Sequence, residues 1–192
     1  MNIRSTRRAA LREATDHMHR ALDACVTGYD LQDGAGYGAF LEASAAPLTA
    51  VEALLEAGGV SELLEDWPER RRSPLIASDL AQLGRGFKPL QLRRGTPARS
   101  ELIGMLYVLE GSRLGARQLH QQIAATGSMR AGAGAYLGAH DPVLWQRFLD
   151  LLESPEQAVD THAMIGGAIF TFALFQRSFE RHLPAGVLAE DS

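Results

Sequence analysis

Apolar positions along this chain recur at three- and four-residue intervals, and no convincing run alternates with polar positions as a half-buried strand would. Leu11, Thr15, Met18, Leu22 and Cys25 fall within one narrow stripe at about 100° per residue, the core side of an opening helix. Comparable patterns predict helices near residues 5 to 26, 36 to 57, 61 to 66, 74 to 84, 97 to 125, 142 to 153 and 155 to 182. Ser73-Pro74, Thr96-Pro97, Asp141-Pro142 and Ser154-Pro155 each set a capping oxygen before a proline, whose missing N–H would be unpaired in a first turn anyway. Ser154 and Gln157 also have capping-box spacing. Gly58 and Gly127 read as helix stops, and Pro184 follows the last helix. The pattern predicts an all-α, single-domain helical bundle over 1–192.

Composition fits that expectation. A chain of 192 residues that is 46% hydrophobic can bury a full core in one domain. A net charge of −4, with no basic run interleaved with aromatics, argues against a nucleic-acid surface. The densest basic cluster, Arg70 to Arg72, reads as a solvated loop. Cys25 is the sole cysteine, so an internal disulfide is impossible, and its place on the apolar stripe suits a buried thiol in a reducing compartment. The first twenty residues carry charges throughout and no apolar h-region, so the expected location is cytoplasmic. Ile165 to Phe175 is interrupted by Gly166 and Gly167 and falls short of the roughly 20 apolar residues of a membrane span; it reads as a buried helix. The clusters Gly34, Gly36, Gly38 and Gly132, Gly134, Gly138 read as mobile connections, because neither follows a strand nor carries the lysine of a phosphate loop.

Candidate chemistry lies in two helical segments. From Leu106 to Leu119 the chain reads LYVLEGSRLGARQL, with Gly111 and Gly115 four residues apart. Each glycine costs a helix about 1 kcal/mol relative to alanine, so two on one face imply close approach of something to bare backbone, either a flat ligand or another helix. From Leu11 to His19 the chain reads LREATDHMH. His19 projects about 80° from Leu11, on the shoulder of the apolar stripe, with Arg12 two turns earlier on the same shoulder. His17 diverges from His19, so the two cannot chelate one metal. An imidazole in line with a guanidinium suits a ligand with a metal centre and an anionic edge. The same residues also read as a boundary histidine and a snorkelling arginine. His120, His140, His162 and His182 form no short metal-binding spacing, although His162 lies one turn before Gly166 and Gly167 and is the second candidate ligand. No G-x-S-x-G nucleophile motif occurs. Phe170, Phe172, Phe175 and Phe179 read mainly as core.

Together the two segments resemble heme oxygenase, particularly its small bacterial branch. The run L-R-E-A-T-x-x-x-H ends at His19, which in that family is the proximal ligand of heme iron, and E-G-S-x-L-G-A, here Glu110 to Ala116, matches the distal helix. From Gln32 to Thr96 only helical character is legible. The resemblance implies heme as both substrate and cofactor, with His19 on its iron. It implies Gly111, Ser112 and Gly115 on the oxygen-activating side, and Arg12, Arg113 and Arg177 as heme contacts, a surface role for Arg177 being the equal alternative. The implied reaction opens heme at a meso carbon to biliverdin and releases iron and carbon monoxide. It consumes molecular oxygen and electrons from an external donor such as a reductase, ferredoxin or ascorbate. A bilin acceptor such as a phytochrome is an implied partner; nucleic acid and membrane are not. Ser112 stands where the mammalian branch has an aspartate, so backbone carbonyls, Ser112 or Arg113 must order the distal water. A heme- or bilin-binding protein without turnover, and an interaction module whose glycines pack on another helix, are the other two readings.

Overall fold

Thr6 opens the first helix by accepting the amide of Ala9 at 3.1 Å, and α1 then runs Arg7–Thr27. The computed structural model describes residues 6–125 and 133–183, and every regular element among them is helical. After α1 come α2 (Gly34–Ala57), a 3-10 turn (Val60–Glu62), α3 (Trp67–Arg70), α4 (Ser73–Gln82), α5 (Arg99–Ala125), α6 (Ala135–Gly138), α7 (Pro142–Glu153) and α8 (Thr161–His182). The all-α expectation is met. The expected stops at Gly127 and Pro184, and Gly132, lie outside the described residues.

α8 is the central element and packs against α5, α1 and α2. Its crossing with α5 is the tightest in the protein. A Cβ on Gly104 would overlap the Met164 carbonyl and stand 2.8 Å from the Ala168 nitrogen, while one on Gly167 would overlap the Glu101 carbonyl. The Ser178 hydroxyl donates to Ala43 O at 2.7 Å, tying α8 to α2, and the Tyr29 hydroxyl donates to Phe179 O at 2.7 Å, tying the end of α1 to α8. Arg7 closes the other end of α1, with Nη1 donating to Leu152 O at 2.9 Å and Ser154 O at 2.8 Å. The buried apolar side chains form one continuous cluster. α2 is long and apolar enough to cross a membrane, but 67% of its apolar window is buried inside the protein, as expected of a core helix.

Several starts differ from the sequence reading for identifiable reasons. Ser73 does not cap α4. The Glu52 carboxylate on α2 does so instead, accepting Arg72 N at 2.7 Å and Ser73 N at 3.2 Å. Ser154-Pro155 opens only a turn, and α8 begins six residues later behind Asp160, whose side chain accepts His162 N at 2.9 Å. The described glycines of the two clusters belong to helices or their caps rather than to connections. Gly34, Gly36 and Gly38 form the first turns of α2, where a Cβ on Gly36 would overlap the Asp30 carbonyl. Gly134 and Gly138 bracket α6, whose Tyr136 and Leu137 are buried and whose first amides are accepted by Asp79 at 3.1 and 2.8 Å.

Candidate functional site

α1 and α5 both lie across α8 and meet at one point, where the Tyr107 hydroxyl of α5 pairs with the Thr15 side chain of α1. Burial pushes the Tyr107 phenol up, opposed by the nearby cations Arg8 and Arg12. The Arg8 guanidinium stands over the Trp145 ring of α7, 5.8 Å from its centroid.

Past Thr15, His19 stands out from α1 with a side chain 64% exposed, more open than a boundary position suggests. Its Nδ1 lies 3.2 Å from Asp23 Oδ2, one turn on, and its ring meets Phe172 of α8 edge-on at 6.0 Å. A carboxylate on Nδ1 holds the imidazole with Nε2 outward, the arrangement metal-ligating histidines commonly have. Sequence reasoning missed Asp23, although the i, i+4 spacing to His19 was there to be read.

On α5 the glycine question has a clear answer. Nothing lies within 4 Å of where a Cβ on Gly115 would sit, and a Cβ on Gly111 would meet only Trp145, at 4.0 Å. The helix-packing glycines are Gly104 and Gly167 instead. Among the described residues, Gly115 therefore presents bare main chain to open space and Gly111 meets only the edge of Trp145 on α7, so no described helix packs closely on the strip.

Ser112 and the arginines complete the picture. The Ser112 hydroxyl donates to Leu109 O at 2.7 Å and accepts from Arg72 Nη2 at 2.7 Å, while Arg72 Nη1 is buried with no partner. The expected solvated loop at Arg70 to Arg72 is thus corrected: Arg70 and Arg72 are each 1% exposed. Arg70 is paired with the Asp66 and Glu110 carboxylates and Arg72 is held by Leu109 O, Ser112 Oγ and the face of Tyr136, while Arg71 stays on the surface. Arg113 is buried too, on the far side of α5, about 160° round from Gly115. Its Nε and Nη2 donate to Glu110 at 3.0 and 3.2 Å, its Nη1 donates to Ala139 O at 3.0 Å, and Nη2 also reaches the Arg70 carbonyl. Arg12 is exposed on the side of α1 that faces Tyr107. Arg177 lies elsewhere. It is about 140° round α8 from Phe172 and lines a groove of about 790 Å³ with Glu42, Phe87, Leu174 and Arg181. His162 is exposed at the start of α8, and no cluster of three or more His, Cys, Asp or Glu able to hold a metal occurs among the described residues.

No protein-family model matches this chain. A protein of Xanthomonas campestris pv. campestris (strain 8004) named heme oxygenase is 39% identical over 114 residues, 57% of this chain and 67% of that protein. Among solved structures, the heme oxygenase of Neisseria meningitidis, crystallised with NO and CO bound, superposes with a TM-score of 0.76 at 22% identity, covering 94% of this chain and 98% of that one. The heme oxygenase of Leptospira interrogans gives a TM-score of 0.65 at 20% identity over 89% and 97% of the two chains. At those identities the two structures speak to the fold.

Proposed function

The chain belongs to the heme oxygenase family, and we propose that it cleaves heme oxidatively to biliverdin, releasing iron and carbon monoxide, between α1 and the glycine strip of α5. The observation that supports this reading is the open face at Gly111 and Gly115, two helix-weakening residues against which no described backbone packs. The residues present suit a flat macrocycle: a bare wall, an outward imidazole, and cations near the meeting point of the two helices.

Bound heme supplies the iron at which oxygen is activated and the ring that is opened. His19 Nε2 would hold the heme iron, and Asp23 holds the imidazole through Nδ1. Phe172 supports the ring edge-on and limits its rotation. Gly111 and Gly115 would form a second wall of the heme site, and their missing Cβ atoms would leave room for oxygen there. Arg12, with Tyr107 and Arg8 beside it, takes the carboxylate edge, where a guanidinium and a phenol give charge-assisted hydrogen bonds. Ser112 stands in for the aspartate of the mammalian branch. Its hydroxyl is already bonded to Leu109 O and Arg72, so Ser112 reaches a distal water only by exchanging one of those bonds, and the backbone carbonyls of the strip are the other groups that could order it. Arg113, its donors taken by Glu110, Ala139 O and the Arg70 carbonyl, stands behind α5 and makes no contact with heme in this reading. Arg177, on another face of α8, serves as a surface cation. Electrons come from an external donor, a reductase, ferredoxin or ascorbate. The lone Cys25 supports a reducing, cytoplasmic setting, and a bilin acceptor such as a phytochrome is one destination for the product.

Hemin titration followed by reduction tests the proposal. One equivalent of hemin should give a sharp Soret band, and reductant in air should replace it with bilin absorbance. A stable complex without bilin would instead identify a binding or sensing protein; no specific band would remove the heme site altogether.

A further inference from the structure

We infer that the buried ion cluster behind α5 is a positioning device, in which Glu110, gripped by Arg70 and Arg113, fixes where the glycine strip stands. This rests on the reading of Gly111 and Gly115 as one wall of the heme site.

Besides the bonds from Arg72 to Leu109 O and Ser112 Oγ, the stretch of α5 that carries the strip is held by few apolar contacts. The crossing with α8 lies two turns earlier, at Gly104. From Gly111 to Ala124 only Arg113, Ala116 and Ile123 are buried, so apolar packing anchors this part of the helix sparsely. Two glycines within five residues weaken it further. Left to itself, such a segment would open and shift more readily than the rest of α5.

The cluster supplies the missing constraint. Glu110 Oε2 accepts from Arg70 Nη1 at 2.8 Å and from Arg113 Nε at 3.0 Å, and Oε1 accepts from Arg113 Nη2 at 3.2 Å. Arg70 is itself held by both oxygens of Asp66, at 2.6 and 2.9 Å, and reaches Leu144 O at 3.0 Å. Arg113 extends to Ala139 O and the Arg70 carbonyl. Glu110 thus ties α5 to α3 through Arg70, which also reaches the start of α7, while Glu110 braces Arg113 of its own helix against the linker before α7 and the Arg70 carbonyl. The grip comes from behind, since Arg113 projects about 160° from Gly115, so it can fix the strip without entering the space in front.

Stability alone does not account for such a device. Buried ion pairs can often be replaced by apolar residues of similar volume with little loss, because desolvation offsets their attraction. What the apolar replacement loses is direction: five donors in a rigid fork define a register that a methyl group does not.

The test compares wild type with Glu110→Gln and with the double variant Glu110→Leu/Arg113→Met, which leaves Arg70 paired with Asp66. Glu110→Gln strands buried guanidinium charge and is a control for collapse. The double variant should fold and bind hemin within about threefold of wild type. In the apoprotein its amides from Leu109 to Ala116 should exchange at least about tenfold faster, with those of the α5–α8 crossing unchanged. Bilin formed per bound hemin should fall at least about tenfold. Unchanged exchange, unchanged turnover, or a double variant unable to fold would each overturn the inference, the last because the cluster would then hold the fold rather than a position. Failure of the heme reading is separable: wild type would give no Soret band or no bilin, whereas apoprotein exchange still reports on the clamp.

Discussion

Gly115→Ala and Gly104→Ala make the same chemical change on one helix and should move stability in opposite directions. Gly115 is exposed, and the added methyl would meet nothing within 4 Å. Its effect on the apoprotein is then mainly helix propensity, a gain of about 0.8–1 kcal/mol, or a rise in Tm of roughly 2–4 °C for a chain of this size. At Gly104 the methyl would overlap the Met164 carbonyl and press on the Ala168 nitrogen, both backbone atoms of α8 that cannot rotate away. Overpacking of that kind costs about 1–3 kcal/mol, more than propensity returns, so Tm should fall. Thermal unfolding of the two apoproteins by circular dichroism reads both numbers. Bilin formation supplies the second half: Gly115→Ala, although more stable, should turn over hemin at least about tenfold more slowly, because the methyl occupies the oxygen side. A lower Tm for Gly115→Ala would show that the strip is covered, and a more stable protein with full turnover would show that its bareness has no catalytic purpose.

Three other outcomes follow from named contacts. His19→Ala should keep the fold, since the side chain is mostly exposed, and should lose the axial-imidazole Soret signature, with added imidazole restoring it; an unchanged spectrum would point to another ligand such as His162. Arg12→Glu sets a carboxylate where a cation now faces Tyr107, and should weaken hemin binding or scatter the bilin isomers; identical affinity and isomers would exclude Arg12 from the carboxylate edge. The hydrogen bond from Arg70 holds the Asp66 carboxyl below the usual range, so its contribution is present above the ordinary carboxylate pKa of about 3.9 and is lost as pH falls through the lower, folded value. Urea unfolding should therefore find Asp66→Asn less stable than wild type at pH 7, with the gap closing in acid, and a gap constant with pH would refute the assignment.

Periodicity was enough to read the long helices. α2 and α7 begin and end within two residues of the pattern, α5 begins within two, and Asp141 caps α7 as its spacing with Pro142 implies. Where the sequence misled, the deciding partner was distant. Ser73 has every local mark of a cap, yet Glu52, 21 residues earlier, takes the amides. Arg70 and Arg72 look like solvent charges because nothing near them in sequence shows that Glu110, Leu109 O and Ser112 Oγ will surround them. Of the site, His19 and the glycines are legible through helical geometry, and Asp23 and Tyr107 lie one turn away, where the same geometry could have found them. The burial of Arg113 and the displacement of Arg177 depend on which way each helix is rotated against its neighbours, which spacing along one helix does not encode.

The account stands or falls most directly on a crystal structure of the hemin-loaded protein. It predicts His19 Nε2 bonded to the iron on one side and the backbone of Gly111 and Gly115 across the other, with no side chain between. Iron bound by a different residue, or hemin seated away from α5, would contradict it.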